Sequence, residues 1–314
     1  MKAFACDCYV VPLPAGHRFP IEKYALLREA VIHAGLMTDE GIVVPELATD
    51  EQILRAHDPD YLEKIKTGCL STMEVRRMGF PWSPELVRRA RCSVGGTISA
   101  CRSALEDGVA VNLAGGTHHA FRDRGEGYCI FNDSVIAIRT MQVEGRARRA
   151  VILDGDVHQG NGTAAITATD PTIFTFSIHS ERNYPLRKTG SDLDIGLPDG
   201  ACDAVYLEAF ERGVRRALHS SEADLAIYLA GADPYEDDRL GRLALSKSGL
   251  AERDRLAFEL CGENGIPIAT VMAGGYARRV EDTVAIHLQT VRLAVESARA
   301  RLEGRSFGFA RENG

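Results

Sequence analysis

The chain has 314 residues, which is enough for one large α/β domain or two small ones. Its hydrophobic fraction of 45% and charged fraction of 26% are ordinary for a globular enzyme. The formal net charge of -7 argues against strong non-specific binding to nucleic acid, which needs a basic surface. No stretch approaches the roughly 18–20 apolar residues that cross a bilayer, and no signal-peptide pattern opens the chain. We therefore expect a cytoplasmic protein with no membrane partner.

Short apolar runs alternate with amphipathic stretches along the chain. The runs that predict strands are residues 2–10, 109–113, 150–153, 172–178, 225–229 and 266–272. Several are continuous, as in strands covered on both faces. Within the first run, Cys6 and Cys8 are two residues apart, which predicts two buried free thiols on one face of a strand.

Helical patterns lie between these runs, at residues 84–104, 205–218, 251–261 and 280–302. The first begins with Ser83 before Pro84, a helix cap followed by proline at the first helical position. Alternating strands and helices predict an α/β fold with a mostly parallel multi-stranded sheet and helices on both faces. Since no linker, repeat or low-complexity segment interrupts the pattern, we expect a single domain over residues 1–314.

Polar clusters follow four of the predicted strands. Ligands of an open parallel sheet bind beyond the carboxyl ends of its strands. The segments at these ends contain His118 and His119; Asp154, Asp156 and His158; Asp233; and Gly274, Gly275 and Tyr276. Four strand ends that supply histidine, aspartate and tyrosine indicate an active site.

Asp156 and His158 are candidate metal ligands. Residues two apart point to one face of an extended backbone, and carboxylate oxygen and imidazole nitrogen are both good zinc ligands. Asp233 can supply a third ligand, which leaves one position open, as in catalytic sites. Taken alone, the Asp-x-Asp-x-His motif is equally compatible with acids that cap glycine-rich loops.

His118, His119 and Tyr276 are candidate catalytic groups. Histidine transfers protons near neutral pH because its reference pKa is about 6.5. A phenol at Tyr276 can donate a hydrogen bond to an oxygen that becomes negative when a carbonyl is attacked.

Together these segments resemble the histone deacetylase superfamily, most closely its class IV branch and the bacterial relatives of that branch. The similarity follows the same order over residues 112–276 and is carried by residues 115–120, 127–133, 154–162, 231–233 and 274–276. Residues 17–20 and 191–197 also fit that branch. The resemblance implies an arginase/deacetylase-like fold.

The resemblance also implies a role for each matching residue. Catalytic zinc would be held by Asp156, His158 and Asp233, beside catalytic His118, His119 and Tyr276. A structural potassium ion would be held by Asp154, Ser177 and Ile178, with the backbone of Asp156 and His158. The substrate channel would be formed by Gly127, Tyr128, Tyr184, Gly274 and Gly275.

One position departs from the best-known members, and a second bears on the choice of substrate. Asn161 stands where class I enzymes place an acid against the second histidine, and an amide stabilises an imidazolium less than a carboxylate does. The charge of His119 is therefore left open, while Asp154 is expected to bond His118. Leu240 occupies the position of the glutamate that marks the polyamine-selective branch, which argues against a polyamine substrate.

The sequence thus predicts a zinc-dependent hydrolase that converts an acyl-lysine in a protein, or a small acyl-amine, to free amine and carboxylate. One alternative is a binuclear manganese ureohydrolase, which needs Asp-x-His-x-Asp runs that this chain lacks. A second is an inactive binding module with the same fold, against which the complete catalytic set argues. The acyl length, the natural substrate and the oligomeric state are left open.

Overall fold

The fold is built around one parallel sheet. The computed structural model describes residues 1–304, in which eight strands pair in the order β2-β1-β3-β8-β7-β4-β5-β6. Every neighbouring pair is parallel. The strands are β1 (Ala3–Phe4), β2 (Ile42–Val43), β3 (Val109–Asn112), β4 (Ala150–Asp154), β5 (Ile173–Ser180), β6 (Leu193–Leu197), β7 (Leu225–Leu229) and β8 (Ile268–Val271). The predicted α/β class and parallel sheet are confirmed.

Helices cover both faces of this sheet. They are α1 (Lys23–His33), α2 (Asp50–Ile53), α3 (Pro59–Thr67), α4 (Thr72–Met78), α5 (Pro84–Asp107), α6 (Asp133–Val143), α7 (Asn161–Thr167), α8 (Asp203–Ser221), α9 (Lys247–Glu263) and α10 (Val280–Leu302). None of them within residues 1–304 is long and apolar enough to span a membrane. The single-domain prediction also covers residues 305–314, which lie outside the described residues.

Each central strand contributes to two separate cores. Val151 and Leu153 pack into a cluster with residues of α1, α8, α9 and α10, whereas Ala150 and Ile152 pack into a cluster with residues of α3, α5 and α6. Because successive side chains point to opposite faces, a strand buried on both sides must be apolar throughout. This requirement explains the continuous apolar runs that predicted the strands.

The first predicted strand is mostly wrong. Residues 2–10 pair with the sheet only over Ala3–Phe4, because the chain then turns, with the Tyr9 amide donating to the Cys6 carbonyl at 3.3 Å. The turn ends the two-residue alternation, so Cys6 is buried but Cys8 is exposed. All eight cysteines are free thiols.

The long predicted helices agree closely with the structure. The prediction for 280–302 coincides with α10, and Ser83 caps α5 by accepting a hydrogen bond from the Leu86 amide at 3.1 Å. The edge strands β2 and β6 were not predicted. Strand β6 alternates exposed and partly buried residues, so it lacks the apolar run that identifies a central strand.

Candidate metal centre and active site

The four polar strand ends meet at one place, because β3, β8, β7 and β4 are consecutive neighbours in the sheet. Asp156 and His158 follow β4, and Asp233 follows β7. All three are buried, and one ligand atom from each lies within 4.8 Å of the others. His158 Nδ1 lies 3.0 Å from Asp156 Oδ1 and 3.3 Å from Asp233 Oδ2. Among the described residues, this is the group of histidine, cysteine and acidic side chains arranged to hold a metal ion.

One carboxylate oxygen in this group lacks a hydrogen bond. Asp233 Oδ1 accepts from the Val157 amide at 2.9 Å, but the buried Oδ2 has no hydrogen-bond partner. Burial and the nearby charge of Asp156 raise the pKa of Asp233 to about 7. Two buried carboxylates with an unsatisfied oxygen, beside an imidazole, fit a divalent cation such as zinc, which binds oxygen and nitrogen ligands.

Gly274 permits the close approach of the two acids. A Cβ atom at this position would lie 1.9 Å from Asp233 Oδ2 and 2.6 Å from Asp156 Oδ2. The Gly274 amide donates to Asp156 Oδ2 at 2.8 Å. Gly274 therefore lies against Asp233 and Asp156, two of the candidate metal ligands.

Gly275, predicted to line the channel, instead faces the interior. A Cβ there would meet the Thr283 side chain at 2.6 Å and Ala232 at 3.0 Å. Its φ of 149° is one that residues with a side chain rarely adopt. Gly275 thus allows the loop after β8 to pack closely beneath Tyr276.

The paired histidines have different partners. His118 Nδ1 lies 2.7 Å from Asp154 Oδ2, and His119 Nδ1 lies 2.7 Å from Asn161 Oδ1. Both partner oxygens can only accept, so each imidazole donates through Nδ1. Asn161 Oδ1 also accepts from the Gly162 amide at 3.0 Å, which supports this orientation of the amide. The expected contacts of Asp154 and Asn161 are present.

The two imidazoles differ in charge. Burial alone would lower the pKa of His118, but the charges of Asp154 and Asp156 outweigh it and raise that pKa to about 9. Burial and the positive charges of His118 and His158 lower the pKa of His119 well below its usual value. At neutral pH, His118 is therefore an imidazolium and His119 is neutral, with a free Nε2 lone pair.

Tyr276 stands beside the same site. Its amide donates to Asp238 Oδ2 at 2.6 Å, and this hydrogen bond holds the backbone of Tyr276 in place. Burial and the charge of Asp233 raise the pKa of the Tyr276 phenol well above 10, so the hydroxyl stays protonated and can donate.

A channel of about 320 Å³ leads from the surface to this site. At its base are His119, His158 and Tyr276, and its walls are formed by Arg76, Arg77, Gly79, Gly127, Tyr128, Asn183, Tyr184 and Leu240. The Tyr184 ring meets His119 edge-on, with 4.9 Å between ring centroids. A Cβ on Gly127 would lie 2.6 Å from His119 Cδ2, so only glycine fits against the imidazole.

The residues predicted to hold potassium lie on two adjacent strands. Asp154 and Ser177 are paired in the register of β4 and β5, and both are buried. Asp154 Oδ1 accepts from the Asp156 amide at 3.1 Å, while Ser177 Oγ bonds His179 Nδ1 at 3.0 Å. The potassium ion itself stays a prediction.

Two buried cations that the sequence analysis missed support the site. Arg253 Nη1 donates to the carbonyls of Gly155 at 3.0 Å and Gly231 at 2.7 Å, and so joins the loops that carry the candidate metal ligands. Lys23 Nζ donates to the carbonyls of Ala273 at 3.2 Å and Gly275 at 3.4 Å. Both lie on helices, where a charged residue usually indicates an exposed position, so no local signal could have identified them.

Comparison with known proteins agrees with this geometry. The family model for the histone deacetylase domain matches residues 17–291. The chain belongs to the histone deacetylase family. It is 45% identical over 279 residues to an uncharacterised Picosynechococcus protein, covering 89% of this chain and 93% of that protein. It is 30% identical to the acetoin utilization protein AcuC of Bacillus subtilis, covering 83% of this chain and 73% of AcuC. It is 29% identical to histone deacetylase 2 of Arabidopsis thaliana, covering 85% of this chain and 73% of that protein.

Solved structures of histone deacetylase domains share the fold. The HDA15 domain matches with a TM-score of 0.81 at 20% identity, covering 96% of this chain and 93% of that one. The histone deacetylase homologue of Aquifex aeolicus matches with a TM-score of 0.80 at 23% identity, covering 97% of this chain and 84% of that one. Family membership supports a hydrolase of the deacetylase type.

Replacing Gly274 with alanine should disturb the metal ligands. Because the new Cβ overlaps Asp233 and Asp156, we expect Gly274→Ala to lower the free energy of unfolding by about 1–3 kcal/mol. Gly190→Ala is the matched control, since a Cβ there meets nothing within 4 Å, and it should change stability by less than about 0.5 kcal/mol. Urea unfolding measures both. Equal stability of the two variants would contradict the close packing at Gly274.

Proposed function

We propose that the protein is a zinc-dependent deacylase that hydrolyses the amide of an acyl-lysine, or of a related acyl-amine, to a free amine and a carboxylate. The observation that carries this proposal is the buried group of Asp156, His158 and Asp233, which holds an unsatisfied carboxylate oxygen near the base of a channel lined by His119 and His158. The long, narrow stem of an acyl-lysine suits such a channel.

Asp156, His158 and Asp233 would hold the zinc ion and leave one coordination position open. When bound there, zinc polarises the substrate carbonyl and lowers the pKa of a water molecule toward about 7. Asp154, Ser177 and the Ile178 carbonyl, with the backbone of Asp156 and His158, would hold the structural potassium ion behind this site.

His119 would act as the general base. It is neutral at pH 7, its Nε2 lone pair is free, and its Nδ1 is fixed by Asn161. It takes the proton of the attacking water and then delivers a proton to the leaving amine. His118, held as an imidazolium by Asp154, supplies positive charge next to His119 and keeps that imidazole neutral before the water attacks the carbonyl.

Tyr276 would stabilise the negative charge that develops on the carbonyl oxygen. Its hydroxyl remains protonated, and the Asp238 contact to its amide holds the segment in place before substrate binds. A preformed donor needs little reorganisation during the reaction, which is why such donors contribute strongly to catalysis.

The ureohydrolase alternative is less well supported. Within residues 1–304, a single group of three ligand side chains meets, whereas two bridged manganese ions need a larger set. The inactive-module alternative predicts zinc binding without hydrolysis. Assay of the zinc-loaded protein on acetyl-lysine peptides, with a hydroxamate as inhibitor, separates the proposed function from that alternative.

Metal content tests the ligand role of Asp233. We expect one zinc ion per chain in the wild-type protein and far less in Asp233→Asn, because a neutral amide oxygen is a weaker ligand than a carboxylate. Elemental analysis measures the metal after dialysis. The control is Asp237→Asn, which removes a nearby surface acid paired with Arg278 at 2.9 Å and should keep its zinc. Full zinc content in Asp233→Asn would remove that residue from the site.

Removal of the Tyr276 hydroxyl tests the mechanism. Tyr276→Phe should lower kcat about 10²–10³-fold, as expected for the loss of one oxyanion donor, while zinc content is unchanged. Steady-state turnover of an acetyl-lysine peptide measures the effect. Wild-type kcat in this variant would show that the phenol takes no part in the chemical step.

An acid at position 161 should change the pH dependence. In Asn161→Asp, a carboxylate facing His119 Nδ1 would raise the pKa of His119 by about one unit or more. Because the base acts only when neutral, a raised pKa moves the acid limb of kcat/KM to higher pH. The pH profile of kcat/KM measures this limb, and an unshifted or lowered limb would argue against His119 as the base.

A further inference from the structure

The mouth of the channel is positively charged, although the whole chain has a net charge of -7. Among the described residues that line the channel are two arginines, Arg76 and Arg77, and no carboxylate. Both are exposed, and neither forms an ion pair with a described acid. Three other exposed arginines, Arg122, Arg215 and Arg278, are instead paired with acids.

The helix that carries these arginines is fixed to the channel wall. The Gly127 amide donates to the Arg77 carbonyl at 3.2 Å, and the Tyr128 amide donates to the Met78 carbonyl at 2.9 Å. Basic residues in the last turn of any helix interact favourably with the helix dipole. That general effect does not explain why the end of this helix is hydrogen-bonded to Gly127 and Tyr128, two residues of the channel wall.

Acids near the mouth are already engaged. Glu126 Oε1 accepts from the Tyr184 hydroxyl, and Glu126 Oε2 accepts from Arg124 Nε at 3.4 Å. Glu74, on the same helix as the two arginines, is paired with Lys64 at 2.8 Å. The acids that could offset the charge of Arg76 and Arg77 therefore already have partners of their own.

Positive charge continues on both sides of the mouth. Arg239, next to Leu240 of the wall, is exposed and donates through Nε to the Tyr276 carbonyl at 3.0 Å. Beyond Tyr184, an adjoining groove is lined by Arg187 and Lys188, together with the ion pair of Arg124 and Glu126. A substrate held with its stem in the channel therefore meets cationic side chains in several directions.

We infer that Arg76 and Arg77 select acyl-lysine substrates that lie in acidic peptide segments. This inference rests on the proposed deacylase function and names the substrate class of that site. When an acyl-lysine side chain fills the channel, its backbone and its neighbouring residues remain at the mouth. Because the acylated amine is uncharged, those neighbours determine the charge that the arginines meet. Carboxylates are attracted there, and basic neighbours are repelled.

Three acetyl-lysine peptides of equal length test the inference. They differ only at the two positions on each side of the acetyl-lysine, which are glutamate, alanine or lysine. With the zinc-loaded full-length protein at low salt, we expect kcat/KM to be highest for the glutamate peptide and lowest for the lysine peptide, with about a tenfold range. The difference should lie in KM, and about 1 M salt should nearly abolish it, because exposed charges are screened.

Charge reversal supplies the decisive variant. We expect R76E/R77E to reverse the order, so that the lysine peptide becomes the better substrate, a gain that misfolding cannot produce. The control is Arg216→Glu, which reverses an exposed arginine on α8, outside the channel, and should keep the wild-type order. An unchanged order in R76E/R77E, or a wild-type preference for the lysine peptide, would overturn the inference.

Failure of the proposed function would give a different result. If the alanine peptide is hydrolysed but flanking charge has no effect, the deacylase function stands and the inference fails. If no peptide is hydrolysed, the deacylase proposal fails, and fluorescence anisotropy still measures binding of the three peptides. Equal binding of the acidic and basic peptides would then overturn the inference about the arginines as well.

Discussion

The structure depends on the burial of two like-charged carboxylates, Asp156 and Asp233, at one point beyond the sheet. Their mutual repulsion and loss of hydration oppose folding unless positive charge lies close by. The sheet brings them together because β4 and β7 are adjacent, and Gly274 lets them approach without a side chain between them. The unsatisfied oxygen of Asp233 indicates that the negative charge of the two acids is not fully compensated until a cation binds.

Fixed positive groups surround the acids at greater distance and hold the loops that carry them. Arg253 joins the loops at Gly155 and Gly231, and its own charge is balanced by Asp254 at 2.7 Å. Lys23 ties down the loop that carries Tyr276 from the opposite side. Lys23 interacts with the charges of Asp233 and Asp156, whereas Arg253 acts by joining the two loops. The site is therefore organised before metal or substrate arrives.

The sequence identified the central strands, and it singled out the three side chains that the structure brings together as candidate metal ligands, because both are local patterns. A strand buried on both faces needs an apolar run, and the ligands follow such runs directly, as Asp156 follows 150–153. The edge strand β6 lacks that pattern, and a turn at Cys8 ends the first run early. Lys23 and Arg253 act through contacts to residues that are distant in the sequence, such as the contact between Arg253 and Gly155. These contacts form only when the helices pack on the sheet, so the sequence pattern gives no sign of them.

The charge at the mouth of the channel also bears on product release. For the proposed acyl-lysine substrate, deacylation would convert an uncharged amide into an amine whose reference pKa is about 10.4, so the product lysine would carry a positive charge at neutral pH. That charge would arise in a channel whose mouth carries Arg76 and Arg77. Substrate and product therefore differ in how they interact with the same fixed charges. The cations that favour an acidic substrate segment also weaken binding of the lysine formed within it, which favours turnover over product retention.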